Sequence, residues 1–225
     1  MLPLAGRPVL EHVVGRLRGV SHLDEVVVAT TLGSEDDVLV AFCEERAISC
    51  VRGSSDDVLS RFHKAALEFR ADTVVRVTSD CPLVDPTLTA EIVDEFERTQ
   101  RYDYLSNTTT RRTFPRGLDV EIFTVAALNE ADKDATQPYE REHVTPYIKE
   151  RPDRFRCGDF VNASDESRHR WTLDTEDDYA LLTKIFESGV GDRPGSTWTD
   201  VLEYVNANPG LQDINRHVHQ KSVRA

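Results

Sequence analysis

The sequence has no long apolar run. Hydrophobic residues make up 39% of its 225 positions, and no stretch approaches the roughly 18 consecutive apolar residues that a transmembrane helix needs. The first residues also lack the pattern of a signal peptide. These absences predict a soluble protein, which we expect in the cytoplasm.

Paired cysteines are absent as well. The four cysteines lie far apart and form no C-x-x-C pair: Cys43, Cys50, Cys81 and Cys157. This spacing disfavours a zinc site and a disulfide framework. We therefore expect reduced thiols.

Basic residues are too few to balance the acidic ones. The chain has 27 Lys and Arg residues against 40 Asp and Glu residues, and its formal net charge is -13. No basic stretch offsets this charge locally, which disfavours a nucleic-acid or anionic-membrane partner. Free nucleotides remain possible partners, because metal ions can bridge them to carboxylates.

Helical and extended patterns alternate along the first part of the chain. Helical spacing of apolar residues covers residues 7–19, 34–47 and 57–70, whereas β-branched segments cover residues 25–30, 49–52 and 73–78. This alternation predicts parallel strands joined by right-handed crossovers. The sequence therefore predicts one doubly wound α/β domain over residues 1–225.

After Asp80, helices and strands no longer alternate regularly along the sequence. Further helices are predicted over residues 87–100, 125–133, 139–150 and 199–206, with another starting at a Thr175 cap, and further strands over residues 102–107, 118–123, 154–161 and 169–173. Strict alternation over residues 118–123 places Asp119 and Glu121 on one face of a half-exposed strand. Residues 108–116 are expected as an exposed loop, and residues 208–225 as a polar tail.

Two aspartates stand at the ends of predicted strands. Asp80 and Asp174 are each followed by a turn and a helix, and ligands of open α/β sheets bind at the carboxyl ends of the strands. Mg²⁺ normally takes one or two carboxylates together with substrate phosphates. The alternative stays open that Asp174 only begins a helix and Asp80 only closes a loop.

Six segments, spread in order over nearly the whole chain, resemble a known family. They are LAGRPVLEH (4–12), GSSDDVLSRF (53–62), TSDCPLVDP (78–86), PRGLDVE (115–121), REHVTPY (141–147) and RWTLDT (170–175). These segments closely resemble the spore-coat polysaccharide cytidylyltransferase-like family, which is related to the acylneuraminate and KDO cytidylyltransferases.

The resemblance implies a nucleotide-diphospho-sugar transferase fold with a mixed, mostly parallel sheet. It implies an enzyme that activates a sugar with CTP, releases pyrophosphate and forms a homodimer, with residues 107–160 as a sugar-binding and dimerisation extension. The implied site has Asp80 and Asp174 as Mg²⁺ ligands, His143 as a base or hydrogen-bond donor, Ser54, Ser55 and Asp56 near the nucleotide, and Arg116, Asp119, Glu121 and Arg141 facing a possibly acidic sugar.

Some of these residues have a plainer interpretation. In an acidic protein, arginines can simply pair with neighbouring acids, and we favour this for Arg170. Both interpretations stay open for Arg116 and Arg141. His143 can be a helix-surface residue, and we expect Trp171 in the core.

The chain differs from the family pattern at its beginning. Family members normally open with a strand and a glycine-rich basic segment, roughly Q-A-R-x-G-S-x-R-L-P-G-K, just before the part that starts here at Leu2. We therefore expect a sheet that lacks its first strand and the loop that wraps the triphosphate. Either Met1 is a misplaced start, which we favour, or a short form has lost transfer activity.

Two other functions remain as alternatives to a cytidylyltransferase. A glycosyltransferase that uses a preformed nucleotide sugar shares the fold and the metal geometry. A non-catalytic binding or assembly subunit would retain the fold without the phosphate loop.

Overall fold

The computed structural model describes residues 1–220, so residues 221–225 of the predicted polar tail lie outside the described part. The strands are β1 (Pro3–Leu4), β2 (Arg7–Pro8), β3 (Val27–Thr31), β4 (Ser49–Gly53), β5 (Thr73–Arg76), β6 (Tyr104–Ser106), β7 (Glu121–Thr124) and β8 (Cys157–Asp159). The α-helices are α1 (Val9–Leu17), α2 (Asp37–Glu45), α3 (Val58–Glu68), α4 (Pro86–Thr99), α5 (Val125–Asp134), α6 (Pro138–His143), α7 (Pro146–Lys149), α8 (Glu176–Glu187) and α9 (Trp198–Ala207). Within residues 1–220, no helix is long and apolar enough to cross a membrane.

Strand pairing makes the architecture a mixed α/β fold. β3 and β4 are parallel, as expected for strands joined by the helix α2. A four-stranded sheet has the order β5-β7-β6-β8, with β7 antiparallel to both neighbours and β6 parallel to β8. Residues 107–120 connect β6 to β7 without a helix, which permits the antiparallel return. The predicted class and mixed sheet are confirmed, while the parallel pairing expected from the alternation does not extend to β7.

A large cleft lies between β3 and β5. Its volume is about 1430 Å³, and both strands line it along their length, together with parts of α1 and α3. The strand that pairs with β3 is β4, and the strand that pairs with β5 is β7. β3 and β5 therefore each turn an edge toward the same cleft.

The core holds the sheet and its helices together in two main clusters. Trp171, Leu88 and Ile122 belong to the larger cluster, and Tyr104 and Phe123 belong to the second. Trp171 is 1% exposed, which confirms its predicted place in the core. Full burial of such side chains is the main favourable term in folding.

The structure corrects several predicted elements in the middle of the chain. The helix predicted over residues 139–150 is two helices, α6 and α7, because Val144 has a φ of 71° and Pro146 cannot donate a backbone N–H. The strand predicted over residues 118–123 begins only at Glu121, so Asp119 and Glu121 do not share one half-exposed strand face. Residues 108–116 contain no helix or strand, but Phe114 in the middle of this predicted exposed loop is buried.

Candidate active site

Asp80 and Asp174 are brought together by two neighbouring segments. Asp80 follows β5 and lines the cleft between β3 and β5. The Leu173 backbone N–H donates to the Asp80 carbonyl oxygen at 2.9 Å, so Asp174 comes directly after a residue that is bonded to Asp80. The Thr172 hydroxyl also donates to Asp80 Oδ2, at 3.0 Å. The two aspartates that the sequence places 94 positions apart are thus neighbours in the fold.

Asp174 is oriented by the start of α8. Thr175 caps this helix as predicted, with its hydroxyl accepting a hydrogen bond from the Asp178 N–H at 3.2 Å. Arg170 donates to Asp174 Oδ2 at 2.6 Å and forms two further bonds with Asp178, at 2.8 and 2.9 Å. The predicted pairing of Arg170 with neighbouring acids is therefore confirmed.

Asp178 is a structural residue that sequence reasoning missed. It is fully buried and also accepts hydrogen bonds from Asn215 and from the backbone N–H of Asp174. Burial opposes its ionisation, but the hydrogen bonds from Arg170 and Asn215 outweigh burial and lower the pKa of Asp178. Asp178 lies three residues after Thr175, which is the spacing of a capping box, and this spacing is the feature of the sequence that could have predicted its structural role.

The donor set at Asp80 and Asp174 is compatible with a hard cation. Each carboxylate has one oxygen that accepts a normal hydrogen bond, from Thr172 or from Arg170, while Asp80 Oδ1 has only a 3.5 Å contact with Cys81 Sγ. Within residues 1–220, no three His, Cys, Asp or Glu side chains come together as a metal cluster. Two carboxylates completed by phosphates and water are what Mg²⁺ normally uses, so the residues fit this ion.

His143 is the last residue of α6 and lines the cleft together with Asp80. It is half-buried, and the following residue, Val144, turns the chain away through its positive φ. The C-terminal end of α6 therefore lies at the cleft. The structure places His143 and Asp80 along one cavity, and the role of His143 as a base or hydrogen-bond donor stays a prediction.

Ser54, Ser55 and Asp56 form an exposed loop between β4 and α3. The Ser54 hydroxyl accepts a hydrogen bond from the Asp57 N–H at 3.1 Å, and the Ser54 carbonyl oxygen accepts one from Arg61 at 2.9 Å. These three residues do not line the cleft, whereas the first residue of α3, Val58, does. Their contact with a nucleotide stays a prediction.

Arg141 connects three helices. It donates two hydrogen bonds to the Asp57 carboxylate, at 2.9 and 2.6 Å, and another to Asp132 at 2.8 Å. Asp57 caps α3, Asp132 lies on α5, and Arg141 itself lies on α6. The contact that the structure shows for Arg141 is thus a link between helices, and its role toward a sugar stays a prediction.

Asp119 and Glu121 have different environments despite their spacing. Asp119 is half-buried and forms a two-point ion pair with Arg112, including a 2.7 Å bond to Oδ2. Glu121 is only 6% exposed, pairs with Arg76 and accepts hydrogen bonds from the hydroxyls of Tyr104 and Thr145, each at 2.6 Å. Their predicted roles toward a sugar stay predictions, while the structure shows Glu121 in a buried network.

Arg116 lies outside the main cleft. It lines a second, smaller cavity together with Arg170. The backbones of the two residues also form an isolated parallel β-bridge. No described residue hydrogen-bonds or ion-pairs with its guanidinium, so the structure does not pair it with a neighbouring acid. Its contact with a sugar stays a prediction.

The family model described as cytidylyltransferase matches residues 1–188. The spore coat polysaccharide biosynthesis protein SpsF of Bacillus subtilis is 29% identical over 216 residues, which cover 92% of this chain and 87% of that protein.

Two solved structures share the fold. A cytidylyltransferase from Leptospira borgpetersenii serovar Hardjo-bovis has a TM-score of 0.88 and 32% identity, with 98% of this chain and 91% of that chain covered. CMP:2-keto-3-deoxy-manno-octonic acid synthetase in complex with CTP has a TM-score of 0.63 and 14% identity, with 84% and 91% covered, and this likeness shows the fold alone. The fold is of the nucleotide-diphospho-sugar transferase type, and the chain belongs to the cytidylyltransferase family of nucleotidyltransferases.

Proposed function

We propose that the protein is a Mg²⁺-dependent cytidylyltransferase that activates a sugar with CTP for polysaccharide or glycan synthesis. The observation that carries this proposal is the Leu173 to Asp80 backbone bond, which brings the segment that leads into Asp174 beside the cleft-lining Asp80. The family match supports cytidylyl transfer. The name of the Bacillus relative supports a polysaccharide pathway, and the CTP complex of a protein with this fold supports the choice of nucleotide.

Asp80 and Asp174 are the residues that would hold Mg²⁺. A bound Mg²⁺ supplies positive charge that stabilises the charge developing on phosphate oxygens and on the leaving pyrophosphate. Arg170 keeps Asp174 in place from the other side, since it donates to Oδ2. Thr172 does the same for Asp80. Both carboxylates are thus oriented before any ligand binds, which favours catalysis by positioning.

In the proposed reaction, a sugar hydroxyl oxygen forms a bond with the α-phosphorus of CTP. The bond between that phosphorus and the bridging oxygen of the β-phosphate breaks, and pyrophosphate leaves with the electron pair. The hydroxyl proton passes to a base, for which His143 is our candidate because it lines the same cleft as Asp80. The products are a CMP-sugar and pyrophosphate.

The loop of Ser54, Ser55 and Asp56 is proposed near the nucleotide, because it follows β4 and immediately precedes the cleft-lining start of α3. Asp119 is proposed on the sugar side, with Arg112 holding its carboxylate in one orientation. A homodimer built on residues 107–160 also stays a proposal.

The direct test is pyrophosphate release from CTP and Mg²⁺ with a panel of acidic and neutral sugars. We expect release with at least one sugar, its loss on chelation of Mg²⁺, and its loss in Asp80→Asn and Asp174→Asn. Asp177→Asn is the matched control, because Asp177 lies in the same acidic run but pairs with His217 at 3.0 Å. Full activity of both site variants, or release that survives chelation, would contradict the proposal.

A further inference from the structure

The cavity that contains Arg116 has a basic lining. Its volume is about 300 Å³, and its ionisable side chains are four arginines and two histidines: Arg116, Arg168, Arg170, Arg216, His169 and His219. No Asp or Glu lines it in the part of the chain that the structure describes. Because acidic residues outnumber basic ones by 40 to 27 in the whole chain, this cavity has the opposite charge balance from the rest of the protein.

Among the arginines that line this cavity, Arg116 is the one without a direct partner in residues 1–220. Arg168, Arg170 and Arg216 all form ion pairs, with carboxylates that do not line the cavity. The guanidinium of Arg116 forms neither a hydrogen bond nor an ion pair with any residue in the range 1–220, although Arg116 is half-buried. A partly desolvated cation of this kind is stabilised by a bound anion.

The acids whose charge acts on Arg116 are already paired with other arginines. Burial, and then the positive charge of Arg112, lower the pKa of Arg116. The negative charges of Asp119 and Asp174 raise it, but each of these acids already accepts hydrogen bonds from another arginine. These acids act on Arg116 only through their charge, and neither forms a direct ion pair with its guanidinium.

The backbone fixes Arg116 beside Arg170. The Arg116 N–H donates to the His169 carbonyl at 3.0 Å, and the Trp171 N–H donates to the Arg116 carbonyl at 2.7 Å, which makes a parallel bridge. Gly117 has a φ of +100°, and an added Cβ would lie 2.5 Å from the Trp171 carbonyl carbon. Only glycine lets the two segments approach this closely, so the position of Arg116 is built into the fold.

We propose that this cavity binds a phosphate group, held by Arg116 and flanked by Arg168. The planar guanidinium offers paired N–H donors that match phosphate oxygens, and the lining presents no carboxylate to repel the anion. The volume accommodates inorganic phosphate or the phosphate end of a small phosphomonoester. Asp80 and His143 line the other cleft, whereas Arg170 of this cavity donates to Asp174, so the two sites are neighbours that share one ion pair. The phosphate proposal does not depend on the proposed function.

The test is a calorimetric titration of the full chain with inorganic phosphate, in low-salt buffer without nucleotide or metal. We expect one site in the unmodified protein, and binding at least about tenfold weaker in Arg116→Gln, since hydrogen bonds to charged groups are typically worth that factor or more. Arg116→Lys is expected to bind with intermediate affinity, because it keeps the charge and loses the paired donors. Arg98→Gln is the matched control, since Arg98 is an exposed arginine paired with Glu95.

Two results would overturn the inference. One is equal phosphate affinity in the unmodified protein and in an Arg116→Gln variant whose urea unfolding midpoint is unchanged. The other is loss of phosphate binding in Arg61→Gln, because Arg61 lines the main cleft and this loss would place the anion there. A parallel titration with a sugar monophosphate separates the two sources: tighter binding than inorganic phosphate indicates a phosphorylated metabolite, and weaker binding indicates the free ion.

Discussion

Two pairs of carboxylates in this molecule lie in opposite environments. Glu121 and Asp178 are buried, at 6% and 0% exposure. Both oxygens of Glu121 are taken, one by two hydroxyls and the other by Arg76. Both oxygens of Asp178 accept hydrogen bonds as well, two from Arg170 and others from Asn215 and the backbone. These carboxylates have no capacity left for a ligand.

Asp80 and Asp174 form the contrasting pair. Asp80 accepts one normal side-chain hydrogen bond, from Thr172, and Asp174 accepts one, from Arg170, while its side chain is 41% exposed. Within residues 1–220, each therefore has one oxygen without a normal protein hydrogen bond. A carboxylate whose oxygens all accept protein hydrogen bonds stabilises the fold, whereas a carboxylate with a free oxygen can bind a cation.

The largest expected effect is the loss of stability in Glu121→Ala. The Glu121 side chain is 8% exposed, and its removal leaves Arg76 and the hydroxyls of Tyr104 and Thr145 without their partner. Breaking a buried pair in this way typically costs about 3–5 kcal/mol. This cost is measured as the decrease in the free energy of unfolding in urea. Asp119→Ala is the control, because the Asp119 pair with Arg112 is more exposed, and we expect less than about 1 kcal/mol. Equal losses in the two variants would contradict the assignment of Glu121 to the fold.

The next effect is that of Asp178→Ala. This change removes two hydrogen bonds from the Arg170 guanidinium, which keeps its bond to Asp174. We expect a loss of about 2–3 kcal/mol, the scale for hydrogen bonds to charged groups. Asp177→Ala serves as the control, since Asp177 is 48% exposed on the same helix. A loss no larger than that of the control would show that Asp178 does not anchor this part of the fold.

The sequence predicts helices and strands better than it predicts which carboxylates are buried in hydrogen-bond networks and which stay open. Strand β5, helix α4 and the Thr175 cap follow from local spacing and were found within a few residues. The family resemblance implies that Glu121 faces the sugar, and its alternation with Asp119 predicts one half-exposed strand face, of which the structure corrects only the second. The actual partners of Glu121, Arg76 and Thr145, lie 45 and 24 positions away. Such pairings depend on strand order and helix packing, which local periodicity does not encode.

The candidate site shows the same division. That Asp80 and Asp174 each end a predicted extended segment can be inferred from the sequence, but the proximity of the two segments depends on the Leu173 to Asp80 bond. The link from Arg141 to Asp57 spans 84 positions and gives no signal in the spacing. The break at Val144 had one signal, Pro146, which disfavours a continuous helix.

A smaller effect concerns pH. Burial raises the pKa of Glu121, but Arg76 and Lys149 outweigh it and lower that pKa below its ordinary 4.5. A lowered folded pKa means that the contribution of Glu121 is complete above about pH 4.5 and is lost as the pH falls through the folded value. We expect the unfolding free energy to fall in acid less steeply in Glu121→Gln than in the unmodified protein. An identical acid slope in both proteins would contradict the lowered pKa.

The smallest expected change in stability is that of Asp80→Asn. The amide oxygen of Asn can still accept the hydrogen bond from the Thr172 hydroxyl, so we expect the unfolding free energy to change by less than about 1 kcal/mol. Binding of Mg²⁺ with CTP, measured by calorimetry, should nevertheless be lost, because the neutral amide does not replace a carboxylate ligand. A stable variant that binds no Mg²⁺ places Asp80 among the carboxylates that act on a ligand. A strongly destabilised variant would instead place it with Glu121, and the proposed metal site would then have no open carboxylate from β5.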